Sequence, residues 1–197
     1  GTALRVPIDE DHPLQGQSPY SASKIGADKM AESFYCAFQL PVVTVRPFNT
    51  YGPRQSARAV IPTIITQALA LDEIRLGNLD TRRDFTFVSD TVRGFLCAAQ
   101  AEQVEGETFN LGTGQEVTIR ELLERILKIV GRDVRVRVDD QRLRPENSEV
   151  LRLLSNNEKA RRRLHWQPEV SLEDGLRQTV EWIRQHQGLY RAGVYEF

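Results

Sequence analysis

Short runs of β-branched residues alternate with helix-length segments along most of this chain. Successive strands joined by crossover helices pair in parallel, so the alternation argues for an α/β fold. Residues 1–18 are polar and turn-rich and read as a surface loop. Residues 19–38 read as a helix with Pro19 in its first turn, and with Ala22, Ile25, Ala27, Met30, Ala31 and Phe34 as its apolar side. Residues 41–46 (Pro-Val-Val-Thr-Val-Arg) read as a buried strand. Residues 60–71 are helical, and 74–76 form a short strand. Residues 83–88 alternate as one strand, and Ser89 caps a helix over 90–100. Residues 107–111 form a strand that ends in Gly112-Thr113-Gly114. Thr118 caps a helix to residue 130, and 134–138 form a strand. Asn156 caps a helix through residue 164, and Ser171 caps another through 186. The stretch 142–148 reads as the long functional loop.

The 197 residues suffice for one domain or one and a half, and 40% are hydrophobic, enough for a real core. Lys plus Arg number 26 against 27 Asp plus Glu. That near-balance gives no general signal for binding nucleic acid. No apolar run is long enough to span a bilayer, and Gly1 onward carries no signal-peptide pattern. Cys36 and Cys97 lie in helical segments and read as reduced packing residues rather than a disulfide. His12, His165 and His186 are scattered without metal-ligand spacing. The chain reads as a soluble cytoplasmic protein without a metal.

Tyr20 and Lys24 stand four apart in Ser18-Pro-Tyr-Ser-Ala-Ser-Lys24, on one face of a helix. A tyrosine is a poor base near neutrality, and a fixed positive charge beside a phenol favours its phenolate. The pair is therefore a candidate proton-transfer device; alone, it reads more readily as a solvated helix face. No Gly-x-Gly-x-x-Gly follows a strand, and Gly112-Thr113-Gly114 is too short to cradle a pyrophosphate.

Further segments follow in a fixed order: Val45-Arg-Pro-Phe-Asn-Thr-Tyr-Gly-Pro-Arg54, Arg58-Ala-Val-Ile-Pro62, Arg82-Arg-Asp-Phe-Thr-Phe-Val-Ser-Asp90, Phe109-Asn-Leu-Gly112 and Arg144-Pro-Glu-Asn-Ser-Glu149. With the Tyr/Lys pair, this set resembles the extended short-chain dehydrogenase/reductases that modify nucleotide sugars. The likeness runs over essentially the whole chain. It looks most like the NAD-dependent sugar-nucleotide 4,6-dehydratases, in particular those of legionaminic-acid-type pathways.

The resemblance implies a doubly wound Rossmann-type fold, of which this chain is the C-terminal part with a small α/β substrate-binding domain. In the family the glycine-rich loop and a Thr-Asp-Glu-type catalytic segment come earlier, over about three strand–helix units of roughly thirty residues each. Residues 1–60 would close the dinucleotide-binding domain. Residues 61–197 would be mainly the nucleotide-sugar region, with 84–100 returning to the Rossmann sheet.

By the same resemblance, Tyr20 is the catalytic base and Lys24 holds the nicotinamide ribose of NAD. Pro47 and Phe48 match the loop passing the nicotinamide. Asn49 matches a diphosphate-side contact, and also reads as a turn residue holding its own backbone. Ala59 and Val60 open a helix whose N–H groups suit a phosphate; Arg58 beside them reads equally as a solvated charge. Arg75 and Leu76, with Ile74, match the strand lining the nucleobase. Arg83 and Arg144 match arginines at the diphosphate and near the nucleoside, where guanidinium forks suit phosphate oxygens. The helix with Tyr20 is implied to form a homodimer.

Dehydration also needs an acid for the C6 hydroxyl and a base for the C5 proton. Asp9, Glu10 and Asp11 match neither family position, so the chain alone is expected to be inactive. A 4-epimerase or decarboxylase of the same family is the second reading. A non-catalytic nucleotide-sugar-binding module is the third. The remaining motif residues, Asn110-Leu-Gly112 and Leu164-His-Trp166, read as structural. Trp166 is expected to pack against the final helix, and Trp182 to join it.

Overall fold

The computed structural model describes residues 2–142 and 149–194. The chain divides into two compact units, each built from three separated segments. The first comprises Gly1–Thr50, Arg82–Glu116 and Pro145–Glu169, and the second Tyr51–Thr81, Val117–Arg144 and Val170–Phe197. Most of the expected functional loop, including Arg144, lies outside the described residues.

The first unit opens with a loop and then helix α1 (Pro19–Phe38), followed by strand β1 (Thr44–Pro47). The start of α1 is fixed locally. Ser18 and Ser21 form a reciprocal capping box, and Pro19 takes the first turn. β1 pairs in parallel with β6 (Thr108–Leu111), Val45 standing opposite Phe109. The expected strand over 83–88 is broken in two, β4 (Arg82–Arg83) and β5 (Phe85–Phe87), at Asp84. Helix α3 (Val88–Gln100) begins one residue before Ser89, with Phe87 at the cap position and no side-chain cap bond. The expected Ser89 cap is therefore corrected: the helix turns straight out of β5. β4 pairs in parallel with β9 (Arg152–Leu153). Helix α5 (Glu158–Arg163) has Asn157 at the cap position with no side-chain cap bond, and it is the Asn156 side chain that accepts from the Glu158 N–H, at 3.0 Å.

The core of this unit gathers Ala98, Val104, Phe109, Leu111, Ala160, Leu164 and Trp166, with Cys97 packed against it. The Trp166 indole N–H donates to the Asp90 carbonyl at 2.9 Å, so its one polar atom is satisfied inside the core. Trp166 therefore packs here rather than with Trp182. The latter stacks on His186 at 4.3 Å in the second unit. Both cysteines are free, and Cys36 is exposed rather than packed.

The apolar side expected for α1 also needs correction. No residue of α1 is fully buried. Ser21, Ile25, Asp28, Ala31 and Tyr35 are half-buried, whereas Ala22, Ala27, Met30 and Phe34 are exposed. The inward side is set partly by a polar tie: the Arg46 Nε of β1 bonds the Asp28 carboxylate at 2.7 Å.

The second unit packs three helices together, one of them on a strand. Helix α2 (Val60–Ala70), α4 (Ile119–Val130) and α6 (Leu172–Gln185) meet one another, and α2 also packs on β3 (Glu73–Leu76). Ile61, Ile64 and Ile65 of α2, Ile74 and Leu76 of β3, Leu122 and Ile126 of α4, and Leu176 and Ile183 of α6 are buried between them. Full burial of such side chains stabilises by about 1.5–3 kcal/mol each. The caps expected at Thr118 and Ser171 are both formed, the first as a capping box with Glu121. β3 pairs in parallel with β8 (Arg135–Val138). The unit also contains the two-residue β7 (Val117–Thr118).

In the first core Gly94 on α3 lies against Leu111. A Cβ there would sit 2.3 Å from the Leu111 Cδ1 and 3.1 Å from the Trp166 Nε1. Both neighbours are fully buried, so either must shift within a packed core. Gly94→Ala should cost about 1–3 kcal/mol through overpacking, read as a lower midpoint in urea with an unchanged slope.

Candidate functional site

The sequence candidates fall into both units. Tyr20, Lys24, Pro47, Phe48, Asn49 and Arg83 belong to the first, and Ala59, Val60, Arg75 and Leu76 to the second.

Tyr20 and Lys24 occupy the first turns of α1, directly after the capping box. The helical spacing brings them together: the Lys24 Nζ lies 5.6 Å from the centroid of the Tyr20 ring, within cation–π range. Tyr20 is 72% exposed, so its phenol is open to a ligand. Asp28, one turn beyond Lys24, is the residue that fastens the helix to Arg46 of β1. Arg46 donates further to the Glu10 carbonyl at 3.3 Å.

Pro47 ends β1, and the Phe48 N–H donates to the Leu111 carbonyl at 2.8 Å. The chain then enters a short strand that the sequence did not announce, β2 (Asn49–Tyr51). The Asn49 Nδ2 donates to the Asp84 carbonyl at 3.1 Å. Arg83 immediately precedes Asp84, so Asn49 and Arg83 are tied to the same residue. The Arg83 guanidinium also lies 3.5 Å from the Glu149 carboxylate, both side chains being largely buried. Arg82 is exposed, 3.8 Å from Glu116. Glu116 bonds Arg152 through both oxygens at 2.8 Å and thereby raises the Arg152 pKa further.

In the second unit Ala59 is the cap residue of α2, with no side-chain cap bond. The dipole and first N–H groups of such a helix start suit an anion. Arg75 is exposed and pairs with Glu73 at 3.0 Å, whereas Leu76 is buried. The buried Gln67 amide of α2 brackets the Arg75 peptide. Its Oε1 accepts the Arg75 N–H at 2.9 Å, and its Nε2 donates to the Arg75 carbonyl at 3.2 Å.

Sequence reasoning missed Asp84, Glu149 and Asp28. The signal for Asp84 was a carboxylate inside an apolar strand, which demands internal donors. Asp28 and Glu149 pair with residues distant in sequence, and spacing alone carries no sign of that. Among the loop carboxylates, Asp9 pairs with Arg5 at 2.8 Å, and Glu10 accepts the Asn110 N–H at 2.8 Å. Both are committed to holding the loop. Among the described residues no group of His, Cys, Asp and Glu is arranged to hold a metal ion, and no helix is long and apolar enough to cross a membrane.

The Rossmann-like α/β fold is that of the extended short-chain dehydrogenase/reductases, and the chain is one of them. The chain belongs to the family described as GDP-mannose 4,6 dehydratase, whose model matches residues 1–179. It is 33% identical to the UDP-glucose 4-epimerase of Mycolicibacterium smegmatis, covering 93% of this chain and 58% of that protein. It is 35% identical to the dTDP-glucose 4,6-dehydratase of an Actinoplanes species, covering 89% and 54%. The crystal structure of a Bacillus anthracis dTDP-glucose 4,6-dehydratase in complex with NAD aligns with a TM-score of 0.84 at 30% identity, covering 96% of this chain and 60% of that one. The chain spans about half the length of the curated relatives it matches.

The residues present fit one end of NAD. Tyr20 and Lys24 offer a hydroxyl and an ammonium on one open face, as a nicotinamide ribose requires. The sequence carries no Gly-x-Gly-x-x-Gly to receive the pyrophosphate.

Replacing Asp28 by Asn removes the charge that holds Arg46. The expected cost is about 1–2 kcal/mol for a charge-assisted bond. Faster hydrogen exchange along α1 in the variant than in the parent, with α4 unchanged, checks it.

Proposed function

We propose that this chain is the catalytic-base and substrate-gripping part of an NAD-dependent nucleotide-sugar 4,6-dehydratase that acts on a UDP- or GDP-hexosamine. The observation that carries this reading is the Tyr20/Lys24 pair, exposed on the first turns of a capped helix with the ammonium 5.6 Å from the ring centroid.

When bound, NAD supplies a hydride acceptor at the sugar C4. Tyr20 removes the proton of the 4-hydroxyl as the hydride departs, acting as general base. Lys24 holds the nicotinamide ribose and favours the phenolate by its charge. Pro47 and Phe48 flank the nicotinamide. Asn49 and Arg83 hold the diphosphate, where a guanidinium fork meets phosphate oxygens. The uncapped start of α2 at Ala59 and Val60 receives substrate phosphate. Arg75 and Leu76 line the base, and Arg144 contacts the nucleoside side. No residue of the chain is assigned to the acid and base work at C6 and C5, so residues 1–197 alone are expected to be inactive. The helix with Tyr20 is also our candidate for a homodimer contact, since Met30, Phe34 and Phe38 on it are exposed.

The likeness to the M. smegmatis enzyme at 33% identity favours a second reading, 4-epimerisation, which uses the same proton abstraction. Product analysis separates the two. A 4-keto-6-deoxy sugar supports dehydration, and an inverted C4 hydroxyl with C6 retained supports epimerisation.

In the enzyme that carries this chain, Tyr20→Phe should lower kcat by at least about a hundredfold, the low end of general-base contributions, and leave nucleotide-sugar affinity nearly unchanged. Retained turnover would remove Tyr20 from the mechanism. Arg83→Ala should weaken nucleotide-sugar binding by about 2 kcal/mol, the value of a lost charge-assisted bond. Calorimetric titration measures it, and an unchanged Kd refutes that role.

A further inference from the structure

The carboxylate of Asp84 is fully buried, and five donors converge on it. Its Oδ1 accepts from the Thr113 N–H at 2.8 Å and the Thr113 hydroxyl at 2.6 Å. Its Oδ2 accepts from the Gly114 N–H at 3.0 Å, the Ser155 N–H at 3.1 Å and the Ser155 hydroxyl at 2.6 Å. These donors come from two segments, one following β6 and the other following β9, where Ser155 forms a parallel bridge with Ile8. The Gly112-Thr113-Gly114 turn, too short for a pyrophosphate, is thus an anion cradle occupied by the protein's own carboxylate. A Cβ on Gly112 would lie 2.1 Å from the Ser155 Oγ and 2.9 Å from the Asp84 Oδ2. The turn closes on the carboxylate only because no side chain intervenes.

The main chain of Asp84 is fixed as well. Its N–H donates to the Leu153 carbonyl at 3.0 Å, and its carbonyl accepts from Asn49 at 3.1 Å. Arg83 is its covalent neighbour. The side chain of Asp84 therefore sets the place of a backbone unit that carries Arg83 and receives Asn49. A guanidinium gripping a diphosphate through paired bonds tolerates little displacement.

We propose that Asp84 is a positioning residue that fixes Arg83 and Asn49 for contact with the substrate diphosphate. This rests on the reading of those two residues as diphosphate ligands. Asp84 touches no substrate; it acts through the residues on either side of its peptide.

The test is calorimetric titration of the chain with UDP and UMP, dTDP and dTMP, and GDP and GMP, using the pair that binds best. Asp84→Asn places an amide against five donors and endangers folding. The working variants are therefore Thr113→Val and Ser155→Ala, each removing one hydroxyl, with Thr113→Ser restoring it. Thermal melting confirms that each is folded. The expected result is a loss of about five- to tenfold in diphosphate affinity, with monophosphate affinity changed less than about twofold. Thr113→Ser should return the diphosphate affinity to that of the parent. Equal losses for both nucleotides would mark Asp84 as a purely structural support and overturn the proposal, as would no loss in variants where Arg83→Ala weakens the diphosphate. Undiminished diphosphate affinity in Arg83→Ala, or no nucleotide binding by the parent chain, overturns the reading of the site itself and this inference with it.

Discussion

Asp84 is where the first unit is tied. Its carboxylate collects donors from Thr113, Gly114 and Ser155. Its peptide joins β9 through Leu153 and β2 through Asn49. Hydrogen bonds to a charged group contribute about 1.5–3 kcal/mol each in favourable cases, and a buried carboxylate stripped of donors costs more than it ever gave. The ladders of β4 and β9 hold only two residues each. Pairing that short cannot orient a strand by itself, and the buried carboxylate does so instead. The same requirement keeps Gly112 free of a side chain and breaks the strand that would otherwise run from Arg83 to Val88.

Helix α1 is stabilised by a different kind of term. It buries no residue fully and contributes no member to the first core. Its order comes from the Ser18–Ser21 capping box, Pro19 and the Asp28–Arg46 pair. Such local terms are worth about 0.5–2 kcal/mol apiece, far less than a buried leucine-lined seam of the kind that holds α4. The Tyr20/Lys24 pair therefore stands on a helix whose start is well defined while its outward side is left to other contacts. That suits the ligand-facing role proposed for Tyr20.

The alternation of strand and helix patterns was enough to read the α/β class. Caps at Thr118 and Ser171 were legible because a cap depends on residues close in sequence. Tyr20 and Lys24 were legible for the same reason, helical spacing being local. What escaped the sequence was long-range. The β-period pattern of Arg83 to Val88 gives no sign that Asp84 meets Ser155, 71 residues away. Ser89 looked like a cap because serine favours that position, yet the helix enters directly from β5 and needs none. Trp182 looked like a partner for Trp166 because both are large and apolar. The fold places them in separate units, since the chain crosses between units several times. The inward side of α1 was misjudged because a salt bridge from Asp28 to a residue distant in sequence shares in deciding which residues turn inward.

Gln67 has a consequence for how a base can be read. Its side-chain amide meets both the N–H and the carbonyl of Arg75, as a neighbouring strand would. In effect one side chain of α2 imitates a β-partner for a single residue. On its other edge β3 is engaged by β8. The Arg75 peptide has thus spent its donor and acceptor within the protein. Under the proposed base contact at this strand, a nucleobase would meet the Arg75 guanidinium, not its amide. Discrimination among bases at this position would then rest on a movable cation, a looser reader than a fixed backbone.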